Sequence, residues 1–291
     1  MMEQQNRLRP LGVGDILDES FRLYRQRFVT IIAIAAAVLV PVTILEMFLQ
    51  MGATSPGVLG LITPDAETIN WTALLSAGVA SLALGIITAL GQLLMEGALA
   101  QGVSQAYLEG RAEVGRAYAA VWARFLPLLG ASLLAMLVLG LLSVTFLGIP
   151  VALWLGVRWC LAVPVIVLER RGAFSGLQRS AELLRGSWWR TFGILILLGL
   201  LTWVLSLALG LGGGLVAGAI MIAGVPAVIG NSLANAIVTV LVSPFFWIGL
   251  TVLYYDRRVR TEGFDLERLA HQMLPDEDSQ PPRGPDVEQT W

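Results

Sequence analysis

Few residues in this chain are of the types that make and break bonds, and they are scattered. The only histidine is His271, in a polar tail. The only cysteine is Cys160, inside an apolar run, so no disulfide framework or thiolate metal site is available. Ser175 and Ser187 have no histidine partner, and no GxSxG, phosphate-loop, HExxH or CxxC pattern occurs. Metal-assisted hydrolysis would call for a carboxylate cluster holding a metal and for acid–base groups, usually histidine. The expectation is therefore no enzyme activity, no metal and no cofactor.

The ionisable residues inside apolar stretches carry more weight, because charge in hydrocarbon costs at least ~2.5–3.5 kcal/mol by insertion scales. Arg158 stands in the middle of one such stretch, Glu46 toward the far end of another, and Glu96 at the near end of a third. An Arg158–Glu46 pair that fixes helix packing is the preferred expectation. A polar cavity or ion path around Arg158 is the alternative.

The stretches that hold these residues are long. Hydrophobic residues make up 56% and charged ones only 14%, against roughly 25% charge in a soluble domain, and mean hydropathy is +0.73. About 20 mostly apolar residues cross a hydrocarbon core of about 30 Å. Six segments qualify: Val29–Gln50, Ala73–Met95, Phe125–Phe146, Ile149–Leu168, Thr191–Met221 and Ser232–Tyr255. The first is too long to be the apolar core of a secretory leader. The fifth ends in a glycine-dense run and could be split, which would make seven.

Arginine decides between six and seven. All 19 basic residues are arginine, and eighteen fall in alternate connecting segments: Arg7 to Arg27, Arg111 to Arg124, Arg170 to Arg190, and Arg257 to Arg283. The intervening loops, Met51–Thr72, Leu147–Gly148 and Ile222–Asn231, hold none. Basic residues flanking spans stay cytoplasmic, so six spans with both termini inside are expected. The net charge of −2 supplies no field for nucleic acid.

The basic segments share a pattern. Leu17, Phe21, Tyr24 and Phe28 recur at steps of 4, 3 and 4, one face of a helix. Val114, Tyr118, Val121 and Phe125 repeat it, as do Leu177, Ala181, Leu184 and Trp188. Asp15 and Ser175 sit at matching positions as N-caps, Ser175 with Gln178 in a capping-box pattern. These are read as three copies of an interfacial amphipathic helix followed by a hairpin, starting near 13, 112 and 173. Ser206, Gly210, Gly214 and Gly218, like Ser81, Gly85 and Ala89, form small-residue stripes expected to pack helix on helix.

The fold class expected is thus all-α: a polytopic membrane bundle of about six spans over residues 1–270, with a Pro- and acid-rich disordered tail at 271–291. Three segments carry a resemblance: LRPLGVGDILDESFRLYR from Leu8, GLQRSAELLRGSWWRTFGI from Gly176, and YYDRRVRTEGFDLERLA from Tyr254. Together, over roughly residues 8–270, they resemble the membrane domain of some bacterial glycerophosphoryl diester phosphodiesterases, which also occurs as free-standing proteins of about six spans. That resemblance implies a bacterial cytoplasmic-membrane protein and no activity, since the phosphodiesterase chemistry belongs to a separate soluble barrel. The expected role is a scaffold or accessory protein engaging membrane lipids, or a membrane or cytoplasmic protein partner, at the inner leaflet. A transporter or lipid-translocating protein with a cavity near Arg158 is the rival, and a lipid head-group enzyme the third reading.

Overall fold

The computed structural model describes residues 11–53, 71–108 and 110–273. Arg7 and Arg9, residues 54–70, and the residues from 274 onward with Arg283 lie outside the described residues, as does the side chain of His271. Among the described residues there are helices and no strand: α1 Val13–Gln26, α2 Phe28–Ala53, α3 Trp71–Leu108, α4 Val114–Trp122, α5 Phe125–Ser143, α6 Gly148–Trp159, α7 Ala162–Leu168, α8 Ala173–Leu183, α9 Trp188–Ile222 and α10 Ala227–Met273. Six segments are long and apolar enough to cross a membrane: Phe28–Leu49, Gly78–Tyr107, Phe125–Ser143, Gly148–Leu168, Trp188–Ile222 and Ala227–Glu262. The all-α bundle of six spans is borne out.

The apolar residues of these spans surround the helices instead of forming one stripe. In Phe125–Ser143 only 11% of the span is buried inside the protein, and Leu126, Met136 and Leu141 all face outward. Such a surface is stable only against lipid, where every backbone group must bond within its own helix. The fifth span is one unbroken helix of 35 residues, about 52 Å long, so the glycine-dense run does not divide it.

Proline explains where helices break. Pro41 and Pro244 are accommodated inside α2 and α10. Pro164 is not: it lacks the N–H that Cys160 would receive and crowds that carbonyl, and the fourth span splits there into α6 and α7. Pro127 stands in the first turn of α5 and bears in the same way on Ala123, where α4 gives way to α5.

The short helices α1, α4 and α8 pack along α10, α3 and the α5–α7 pair respectively. Their apolar faces are therefore covered largely by protein. In α1 the best buried positions are Ile16, Ser20 and Leu23, one step round from the expected face: Leu17 and Tyr24 are half-buried, and Phe21 and Phe28 are 45% and 41% exposed. In all three copies the last member of the 4-3-4 series, Phe28, Phe125 or Trp188, lies across a break and opens the next helix. The N-caps are also displaced. Gly12 and Gly172 occupy the cap, and Asp15 and Ser175 act from the third helical position. The Asp15 carboxylate accepts the Gly12 N–H at 2.9 Å, whereas the Ser175 hydroxyl donates to the Gly172 carbonyl at 3.2 Å. α10 runs unbroken to Met273.

Candidate functional site

The three segments quoted above for their resemblance meet at one end of the bundle. Asp256, on α10, has a side chain with no solvent exposure. Its carboxylate accepts hydrogen bonds from Arg190 at the start of α9 (2.8 Å), from Arg260 one turn along α10 (2.9 and 3.1 Å), and from the Leu11 backbone N–H (2.8 Å). The Leu11 carbonyl accepts in turn from Arg190 and from Arg260, each at 2.7 Å. The chain entering α1 is thus held between the first turn of α9 and the end of the last span. A buried carboxylate is tolerable when cationic donors saturate it in this way.

A second carboxylate, Glu169, ends α7 and is joined to the same assembly. It accepts from Arg171 (2.9 Å), Arg179 (3.2 Å) and the Tyr254 hydroxyl (3.2 Å). Arg179 also donates to Glu262, which accepts from Arg258 at 2.6 Å. Burial by itself lowers the Arg179 pKa, but the charges of Glu169 and Glu262 and their hydrogen bonds outweigh it and raise the value. Arg257 donates twice to the Leu183 carbonyl, at 2.9 and 3.0 Å, closing the C-terminal end of α8. Tyr255 shares a 2.6 Å hydrogen bond with Ser104 of α3.

Ser180 repairs the break made by Pro164. Its hydroxyl donates to the Arg158 carbonyl at 2.8 Å and accepts the Leu161 N–H at 3.2 Å, so one side chain satisfies both sides of the interruption. Gly176 lets α8 come this close: a Cβ there would stand 2.3 Å from Ile166. Two tyrosines complete the tie-up, Tyr24 donating to the Leu241 carbonyl (2.7 Å) and Tyr118 to that of Ile34 (2.6 Å). Burial pushes the Tyr118 hydroxyl up to about 12.

Arg158 and Glu46 do not pair. The Arg158 guanidinium lies 4.6 Å from the ring centroid of Trp154, whose carbonyl accepts from Trp188 at 3.1 Å. Glu46 accepts from Thr88 of α3 at 2.9 Å. The two acid–base partners expected from depth alone sit on helices, α2 and α6, that are not neighbours. Glu96 is half-buried in α3 near Gly97, where α4 packs through Val121. The cleft bordered by Gly156 and Val157, beside Arg158 in sequence, is about 510 Å³ and mostly apolar, with Leu139, Phe192 and Leu195 in its walls.

The small-residue stripes are also displaced from the packing seams. A Cβ added at Gly210, Gly214 or Gly218 would meet nothing within 4 Å. Close approach of α9 to α10 uses Gly213 and Ala217 instead. A Cβ on Gly213 would stand 3.2 Å from Ala234, and one on Gly230 about as near Ala217. In α3, Gly85 is likewise open, and Gly91 is the position that meets Val38 and Val42, at 3.1 Å.

The residues that organise this end, Asp256, Glu169 and Ser180, were not singled out by residue type. The available signal was a lone acid between two tyrosines and two arginines in YYDRR. Chemically, the arrangement binds helices to one another. No group of three or more His, Cys, Asp or Glu side chains suited to a metal occurs among the described residues. Both organising carboxylates spend their lone pairs on guanidinium, hydroxyl or backbone donors.

Residues 134–270 match the family model described as the membrane domain of glycerophosphoryl diester phosphodiesterase. The resemblance read from the sequence is borne out over that stretch, which holds the segments beginning at Gly176 and Tyr254; the one beginning at Leu8 precedes it. No curated protein and no solved structure matches the chain.

Proposed function

We propose that this multi-pass membrane protein is a non-enzymatic scaffold or accessory protein of a bacterial cytoplasmic membrane, with both termini inside. It engages lipid or a protein partner at the inner leaflet, through the surface built by α1, α4 and α8. The observation that carries this reading is the saturation of Asp256 and Glu169. Side chains of the kind that could form a reacting centre are consumed in fastening α1, α8, α9 and α10 together. Exposed at this end are the aromatics Phe21, Phe174 and Trp189 and the arginines Arg25, Arg171 and Arg185, interspersed with the acids Asp15, Asp18 and Glu182, a composition suited to docking.

The rival reading, a transporter with a cavity at Arg158, has less in its favour, because Arg158 lies over Trp154 and the adjoining cleft is apolar. The test is in-cell photo-crosslinking from a photoreactive amino acid at Phe174 or Phe21. Adducts to one discrete protein or lipid are expected. Solute flux, or turnover of a glycerophosphodiester, by the purified chain in proteoliposomes would overturn the reading.

A further inference from the structure

In the half of the α9–α10 pair remote from Asp256, the two helices border a cleft of about 440 Å³. Thr202, its first wall residue on α9, stands 12 positions beyond Arg190, about 18 Å along the helix. The stripe from Thr202 through Ser206 to Gly214 forms one wall, and Asn231, Asn235, Thr239 and Ser243 form the other, each at steps of four. This explains why the glycines of that stripe meet no neighbour: they floor a groove.

The groove is polar in an apolar setting. Leu207 and Leu211, beside the groove on α9, are 49% and 67% exposed. The hydroxyl of Thr202 is spent on the Leu198 carbonyl. The side chains of Ser206, Asn231, Asn235 and Thr239 make no hydrogen bond to any described residue. Asn231 and Asn235 are exposed and Ser206 and Thr239 half-buried, so their donors and acceptors are open to an occupant within a span, where a polar group facing hydrocarbon is unfavourable. No charged side chain lines it, and the connecting loop Ile222–Asn231 has none either. A phosphate would enter without a counter-charge, which disfavours it.

We propose that this cleft binds the uncharged, hydroxyl-rich headgroup of a membrane lipid of glycosyl type, with its acyl chains lying along the apolar flank of α9 at Leu207 and Leu211. Hydroxyls match the amides of Asn231 and Asn235 in both hydrogen-bonding senses. The inference does not depend on the scaffold reading, which concerns the opposite end of the helices.

The test uses the full chain in nanodiscs of phosphatidylglycerol and phosphatidylethanolamine doped with a diazirine-bearing monoglucosyl diacylglycerol. Adducts are expected on residues 202–214 and 231–243, competed by unlabelled monoglucosyl diacylglycerol and not by added phosphatidylglycerol. Asn235→Leu combined with Ser206→Val should lower labelling about tenfold, the loss of two or three hydrogen bonds. Asn235→Ser should keep most of it. Labelling spread evenly over the lipid-facing belt, competition by phosphatidylglycerol, or indifference to the double substitution would overturn the proposal. Disulfide formation between two chains carrying Asn235→Cys would do so as well, by assigning the groove to a second copy.

Discussion

Arg190 and Asp256 lie 2.8 Å apart although they are 66 positions apart in sequence, and their contact joins the first turn of one span to the last two turns of another. Both also hold the backbone of Leu11, so one ion pair fastens three segments of chain.

Removing the acid should therefore be costly. Asp256→Asn leaves Arg190 and Arg260 without their shared counter-charge, and breaking a buried pair from one side costs about 3–5 kcal/mol. The partial exposure of both arginines places this case at the low end. Thermal unfolding in detergent should show a lowered midpoint for Asp256→Asn and a partial recovery when Arg190→Gln is added. An additive double variant would contradict the pairing.

Ser180→Ala removes two hydrogen bonds at the α6–α7 break, and should cost about 1–3 kcal/mol because buried backbone groups lose their partner. Pro164→Ala lets the helix bond to itself across that point. The serine should matter less in that background, and unfolding midpoints of the four chains in the cycle provide the measurement.

Glycine substitutions separate the true seams from the apparent ones. Gly249→Ala would place its Cβ 2.5 Å from Leu198, and overpacking of this kind costs roughly 1–3 kcal/mol. Leu198→Ala should relieve part of it. Gly210→Ala, in contrast, meets open space and should leave the unfolding midpoint unchanged or raise it slightly.

Cysteine accessibility tests the orientation inferred from arginine placement. Thr63→Cys should be labelled by an impermeant maleimide in intact cells, and Gln178→Cys only after permeabilisation. The reverse pattern would invert the topology and move the proposed docking surface to the other leaflet.

How much of this was legible beforehand varied with the physics. The six spans were readable because a bilayer sets the length and composition of anything that crosses it. Faces were less so. A 4-3-4 periodicity continues through Phe28, Phe125 and Trp188 although the helix stops before each, since periodicity does not register a break set by Pro127 or by the turn at Gly186, whose φ of 77° suits only glycine. Partners across the bundle were least legible. Depth suggested Glu46 for Arg158, but depth does not say which helices are neighbours, and the two residues found Thr88 and Trp154 instead. Ser180 and Asp256 stood inside the quoted motifs, yet their roles require partners that only the folded chain brings near.

The bond between the Leu11 N–H and Asp256 spans 245 positions of sequence. At translation rates of about 5–20 residues per second, the N-terminal segment waits roughly 12–50 s after its own synthesis for the residue that holds it. Throughout that interval α1 stands at the membrane without α10 to cover Ile16 and Leu23. A chain truncated before Asp256 would therefore keep most of its spans while lacking the residue that holds its first helix.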